Sequence, residues 1–148
     1  MERSLKKHLK GGCFQKVSPV RSCTMSRIRG KNNKSTEIKF RMALVRNEIV
    51  GWTANELSLI GKPDFYFKKV KLAVFIDGCF WHGCPICGHI PRTNTSFWKE
   101  KIRRNKVRDK RTIKALLKQG IQVVRLWEHQ IKTPKNISST IEKIKKII

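Results

Sequence analysis

A chain of 148 residues has room for one core, with about two-thirds of its unfolded surface buried on folding. Its 34 Lys and Arg against 10 Asp and Glu leave a formal charge of +24, which repels itself unless an anion offsets it, so a polyanionic partner such as nucleic acid is implied. No apolar run approaches the ~18 residues of a membrane span and the N-terminus lacks the apolar run of a signal peptide, so a cytoplasmic, nucleoid-associated protein is the expectation.

Residues 1–33 mix basic side chains with Gly11-Gly12, Pro19 and scattered serines and show no periodicity, which predicts a mobile basic arm ahead of one domain over residues 34–148. Cys13 and Cys23 fall in that arm and read as free thiols without a role. Ser35 is a plausible N-cap for a helix that runs to about Asn47, with Ile38, Met42 and Val45 at helical spacing. Residues 51–54, 64–67 and 72–76 read as strands, the last apolar throughout and so suited to burial on both faces; the second and third are close enough for a hairpin. Asn94 or Thr95 caps a long basic helix to Gln119, with Gly120 as its terminator and Trp98, Ile102, Ile113 and Leu116 near one face. Residues 121–127 make a fourth strand, and Ser138 opens a closing helix with Ile141, Ile144 and Ile148 on one side. The order α-β-β-β-α-β-α predicts an α/β fold, a mixed central sheet flanked by helices.

The densest chemistry lies in Asp77-Gly78-Cys79-Phe80-Trp81-His82-Gly83-Cys84-Pro85-Ile86-Cys87. Cys79, Cys84 and Cys87 are separated by four and then two residues, with Gly83 and Pro85 bending the chain, so three sulfurs can converge on one tetrahedral ion. Zinc is the first choice, with the fourth ligand from His82, His89 or the distant His129. Acids are scarce, yet Asp64 opens the second strand and Asp77 follows the third. Two carboxylates at neighbouring strand ends suit Mg²⁺, which takes hard oxygen ligands and activates water against a phosphodiester. Phe80, Trp81 and Trp98 are apolar rings among cations, and such rings can wedge into a base stack where it is weakest. Helical spacing to Ile102 also suits Trp98 to the core.

Several uncommon motifs in order carry a resemblance: Gly61-Lys62-Pro63-Asp64, the 77–84 run, Phe97-Trp98, Lys101-Ile102 with Asn105 and Arg108-Asp109, and Leu126-Trp127-Glu128-His129. Over roughly residues 25 to 130 the chain is similar to the very-short-patch repair endonucleases, and Met25-Ser26-Arg27-Ile28-Arg29 resembles that family's usual start. The resemblance implies a restriction-endonuclease-like core of the PD-(D/E)XK kind with an inserted zinc-stapled loop. It implies nicking of one strand at a T:G mismatch in double-stranded DNA, the product of 5-methylcytosine deamination. By that resemblance Asp64 is the main magnesium ligand with the Ile76 carbonyl beside it, and Glu37 assists. His82 is general base or water positioner. Zinc falls to Cys79, Cys84, Cys87 and His129, while Phe80, Trp81, Trp98, Lys62 and Asn105 face DNA. A monomer is expected, with mismatch-repair proteins as further partners.

Two departures bear on the site. Asp77 stands where the best-studied family pattern has histidine, whereas the wider nuclease fold has an acid there, so Asp77 is itself a candidate metal ligand and catalytic residue. Cys79 occupies the place of the fold's usual lysine, which leaves the water chemistry to His82. Two other classes fit the same residues: a zinc-stabilised nucleic-acid-binding module that cuts nothing, and a related nuclease with a different DNA substrate.

Overall fold

A computed structural model describes residues 3–14, 17, 18, 20 and 36–148. The readings of Ser35, Cys23 and residues 25–29 fall outside the described residues. The elements are helix α1 (Glu37–Arg46), strands β1 (Trp52–Ala54), β2 (Phe65–Phe67) and β3 (Leu72–Asp77), helix α2 (Thr95–Lys118), strand β4 (Gln122–Trp127) and helix α3 (Pro134–Lys145). Short 3-10 turns occupy Arg3–His8, Lys10–Gly12 and Glu128–Ile131.

The sheet runs β1-β2-β3-β4, antiparallel except for the parallel β3/β4 pair, so it is mixed as expected. A parallel pair needs a crossover, and α2 supplies it. Side-chain alternation divides the core. Leu72 and Val74 join Phe65, Phe67 and Leu126 on the face covered by α1 and α3, while Ala73 and Phe75 face Leu116 of α2. Asp77 continues the 73/75 alternation and is therefore delivered to the α2 side at the end of β3.

Helix α2 ends as its sequence dictates. Gly120 adopts φ +71°, Gly120 N–H donates to the Leu117 carbonyl, and Ile121 N–H reaches back to Leu116, whose side chain it joins in the core.

Two boundaries and one face differ from expectation. α1 buries Phe40, Ala43 and Leu44 and leaves Ile38, Met42 and Val45 exposed. Both sets have helical spacing, but only the observed rotation buries the large Phe40 ring and turns Glu37 inward. α3 begins at Pro134, not Ser138: the Thr133 hydroxyl accepts from Asn136 N–H at 3.3 Å, and proline fits the first helical turn. Ile148 lies past the end of that helix and is exposed, whereas Ile141 and Ile144 are core.

Within the described part of the expected mobile arm, two leucines are packed. Leu5 and Leu9 are 1% and 5% exposed against Phe97, and Arg104 donates to Ser4 Oγ at 2.7 Å.

Candidate active site and metal centre

The ends of β3 and β4 lie side by side, with Asp77 opposite Trp127, and two sites grow from them. On the strand side, Asp64 immediately precedes β2, whose pairing with β3 brings it to Ile76; Ile76 N–H donates to Asp64 Oδ2 at 2.6 Å. Burial is the main cause that pushes the Asp64 carboxyl up to about 6, and the nearby charges of Glu37 and Asp77 add to it. Three acids therefore converge from α1, the start of β2 and the end of β3, although they are far apart in sequence.

Asp77 is almost fully buried and accepts from Arg125 at both oxygens, Nε lying 2.5 Å from Oδ2. Arg125 sits two residues before Trp127, so it reaches diagonally across the β3/β4 pair while its guanidinium lies over the Phe75 ring. Both oxygens are thereby engaged by a cationic side chain. Asp64, by contrast, is held through Oδ2 by the Ile76 N–H.

His82 Nδ1 is 2.6 Å from Asp109 Oδ2 and 3.6 Å from Asp77 Oδ1. Burial alone would raise the Asp109 carboxyl, but the hydrogen bond and charge of His82, with Arg125 and Arg108, outweigh it and hold the carboxyl below its usual range. Arg125 and Asp109 had no place among the residues assigned from sequence. Arg125 reads as one more cation in a basic chain. Asp109 stands in the Arg108-Asp109 motif, but only the sheet-to-α2 packing reveals that it meets His82.

Past Asp77 the chain folds into the cysteine loop, whose turn is held by Cys84 N–H to the Cys79 carbonyl and Gly88 N–H to the Cys84 carbonyl, each 2.9 Å. Cys79, Cys84 and Cys87 Sγ lie 3.3, 3.6 and 3.4 Å from His129 Nδ1, and all four ligand atoms lie within 4.8 Å of one another. A tetrahedral ion with sulfur at about 2.3 Å and nitrogen at about 2.0 Å has ligand separations of about 3.5–3.8 Å, so this cluster fits zinc. Burial pushes the Cys79 thiol up to about 12, and its neighbouring sulfurs add to the rise, whereas against its burial hydrogen bonds from Cys87 and Ile86 bring the Cys84 thiol below its usual value; a cation between them would favour the thiolates. Of the three histidines left open as fourth ligand, His129 joins the cluster; His82 is committed to Asp109, and His89 contacts the Phe80 ring. His129 is fixed by Asn136, which donates to its carbonyl at 2.8 Å, and Glu128 Oε2 accepts from Cys79 N–H at 3.3 Å.

Phe80, Trp81 and Trp98 meet in one partly exposed cluster, with ring centroids 5.0 to 5.9 Å apart. Asn105, expected at the DNA surface, is 7% exposed and donates to the Trp81 carbonyl at 2.8 Å, so that a buried amide holds the aromatic loop from below. Lys62 is exposed at the turn before Asp64, with φ +54°.

The family described as DNA mismatch endonuclease Vsr matches this chain over residues 14–87, a stretch that contains every acid of the cluster except Asp109 and all three cysteines of the metal centre. The type II nicking enzyme V.NmeAIP of Neisseria meningitidis is 40% identical over 113 residues, 76% of this chain and 79% of that one. DNA mismatch endonuclease Vsr of Escherichia coli is 37% identical over 98 residues, 64% of this chain and 62% of that protein. The type II nicking enzyme V.NaeI of Lentzea aerocolonigenes is 51% identical over 69 residues, which cover 47% of this chain but only 42% of that relative.

Proposed function

From the premise that this chain belongs to the Vsr family and is a DNA endonuclease, we propose that it nicks one strand of duplex DNA beside a T:G mismatch in a magnesium-dependent reaction, opening the way to repair of deaminated 5-methylcytosine. The observation that carries the proposal is the convergence of Glu37, Asp64 and Asp77 next to the His82–Asp109 pair, at the strand ends that also hold the aromatic cluster.

Asp64 would hold the ion, with the Ile76 carbonyl beside it and Glu37 reinforcing the negative field. The strained acidity of Asp64 fits that role, since a buried carboxyl among acids gains from a divalent cation. Bound there, Mg²⁺ supplies Lewis-acid stabilisation of the phosphodiester oxygens and a water of lowered pKa. In this reading Asp77 anchors Arg125, and Arg125 keeps a fixed positive charge against Asp109 at 3.3 Å. With Nδ1 turned to Asp109, His82 has Nε2 left to take a proton from water or to orient it. Phe80, Trp81 and Trp98 would enter the stack at the mismatch, where separating bases costs least.

The test is cleavage of a T:G-containing duplex and its fully paired counterpart, with and without Mg²⁺. The expected result is a single nick in the mismatched duplex that requires the ion. Equal cutting of both duplexes would preserve the endonuclease and remove the mismatch specificity. Binding without cutting, under all metal conditions, would turn the reading to a zinc-stabilised binding module.

A further inference from the structure

Residues 3–14 have no part in the reading above, yet they are tied to the aromatic cluster. The Phe14 ring lies nearly parallel to Trp98, with centroids 6.0 Å apart and planes 23° from parallel, and it meets Phe97 edge-on at 4.9 Å. Leu5 and Leu9 anchor the same segment on Phe97, and the Arg104–Ser4 hydrogen bond clips it to α2. Trp98 is thus contacted by four rings: Phe14, Phe97 at 5.1 Å, Phe80 at 5.1 Å and Trp81 at 5.9 Å. Phe97 is core and Phe80 and Trp81 belong to the loop, so Phe14 is the ring that covers Trp98 from the N-terminal segment.

We infer that Phe14 is a positioning residue for Trp98: residues 3–14 form a bracket that stacks one more ring on the wedge and holds it in the orientation that meets DNA. The inference rests on the wedge reading. An aromatic ring free to turn loses rotamer freedom when it stacks on a base, whereas a ring already held by a parallel neighbour has given up that freedom before DNA arrives. Offset-stacked pairs of this kind contribute enough to alter an equilibrium about three- to tenfold.

The experiment compares the parent protein with Phe14→Ala, Phe14→Tyr, Leu9→Ala and Phe80→Ala, reading affinity for T:G and paired duplexes and the fluorescence of 2-aminopurine beside the mismatch. Phe14→Ala should lower the T:G preference about three- to tenfold and diminish the fluorescence change, with nicking at saturating DNA near the parent rate. The salt dependence of binding should not move, because no charge is removed. Phe14→Tyr should restore the preference, and Leu9→Ala, which loosens the bracket but keeps the ring, should reproduce the loss. If Phe80→Ala loses discrimination while Phe14→Ala and Leu9→Ala do not, the positioning role is overturned and the wedge stands. If Phe80→Ala is also silent, the wedge reading falls and this inference falls with it. A rise in T:G preference in Phe14→Ala would overturn it as well, since the ring would then cover Trp98 against DNA.

Discussion

Asp64 is under opposite demands from folding and from chemistry. Its carboxyl is more readily protonated in the folded chain, at about 6, than at its ordinary 3.8, so its contribution to stability is fully present below 3.8 and is lost as pH rises through about 6. Asp64→Asn, which keeps an acceptor for Ile76 N–H, should therefore stabilise the protein at pH 7 without added magnesium by about 2–3 kcal/mol, and by little below pH 4. Thermal or denaturant unfolding across that pH range checks it. The same variant should lose nicking while still binding DNA; undiminished single-turnover cutting would remove Asp64 from the chemistry. His82→Ala should slow cutting by about a hundredfold or more and Asp109→Asn by about ten- to a hundredfold, since one handles the proton and the other orients the ring. Rapid-quench rates at saturating DNA separate these effects from binding. Much of this site was legible in the sequence because Asp64, Asp77 and His82 stand in motifs beside turn residues. Arg125 and Asp109 were not, because their meaning depends on a diagonal across two strands and on the face of a helix that the strand ends meet.

At the scale of elements, the metal loop depends on backbone that leaves no room for a side chain. A Cβ at Gly88 would sit 2.4 Å from the Cys84 carbonyl oxygen and 2.7 Å from its nitrogen, and neither can yield without opening the turn that aims Cys84 and Cys87. Gly88→Ala should therefore release metal faster than the parent and melt lower, as Cys84→Ala should more severely; competition with a chromogenic chelator and a thermal melt measure both. Strand and helix positions followed from periodicity because apolar spacing reports burial directly, as in β3 and α2. Rotation about a helix axis is less determined by it. In α1, Ile38/Met42/Val45 and Phe40/Leu44 both recur at helical intervals, and the choice fell to ring volume and to Glu37, neither visible without the partner surface. The early start of α3 had a local signal in Thr133-Pro134 that weighed less than the isoleucines downstream.

For the whole molecule, +24 charges make binding to DNA strongly salt-dependent. Lys106, Lys110 and Lys114 recur every four residues on α2, all exposed, and the row starts where Lys106 lies against Gly83 of the aromatic loop. Changing all three to Gln should lower the salt slope by about 2–3 if each meets a phosphate, with the preference for T:G unchanged. Fluorescence anisotropy over a salt series measures the slope. Among the described residues no helix is long and apolar enough to cross a membrane. The parallel pairing of β3 with β4 has a further consequence, for time. The β2–β3 hairpin closes through a short turn, whereas β4 can join only after α2 has crossed the sheet, and the Cys79–His129 contact spans 50 positions over that same connection. A link made so late adds to the native state more than to the folding barrier. Withdrawing metal should then leave the refolding rate nearly constant and shorten the lifetime of the folded chain, so that the sulfur cluster sets how long the enzyme persists rather than how quickly it is made.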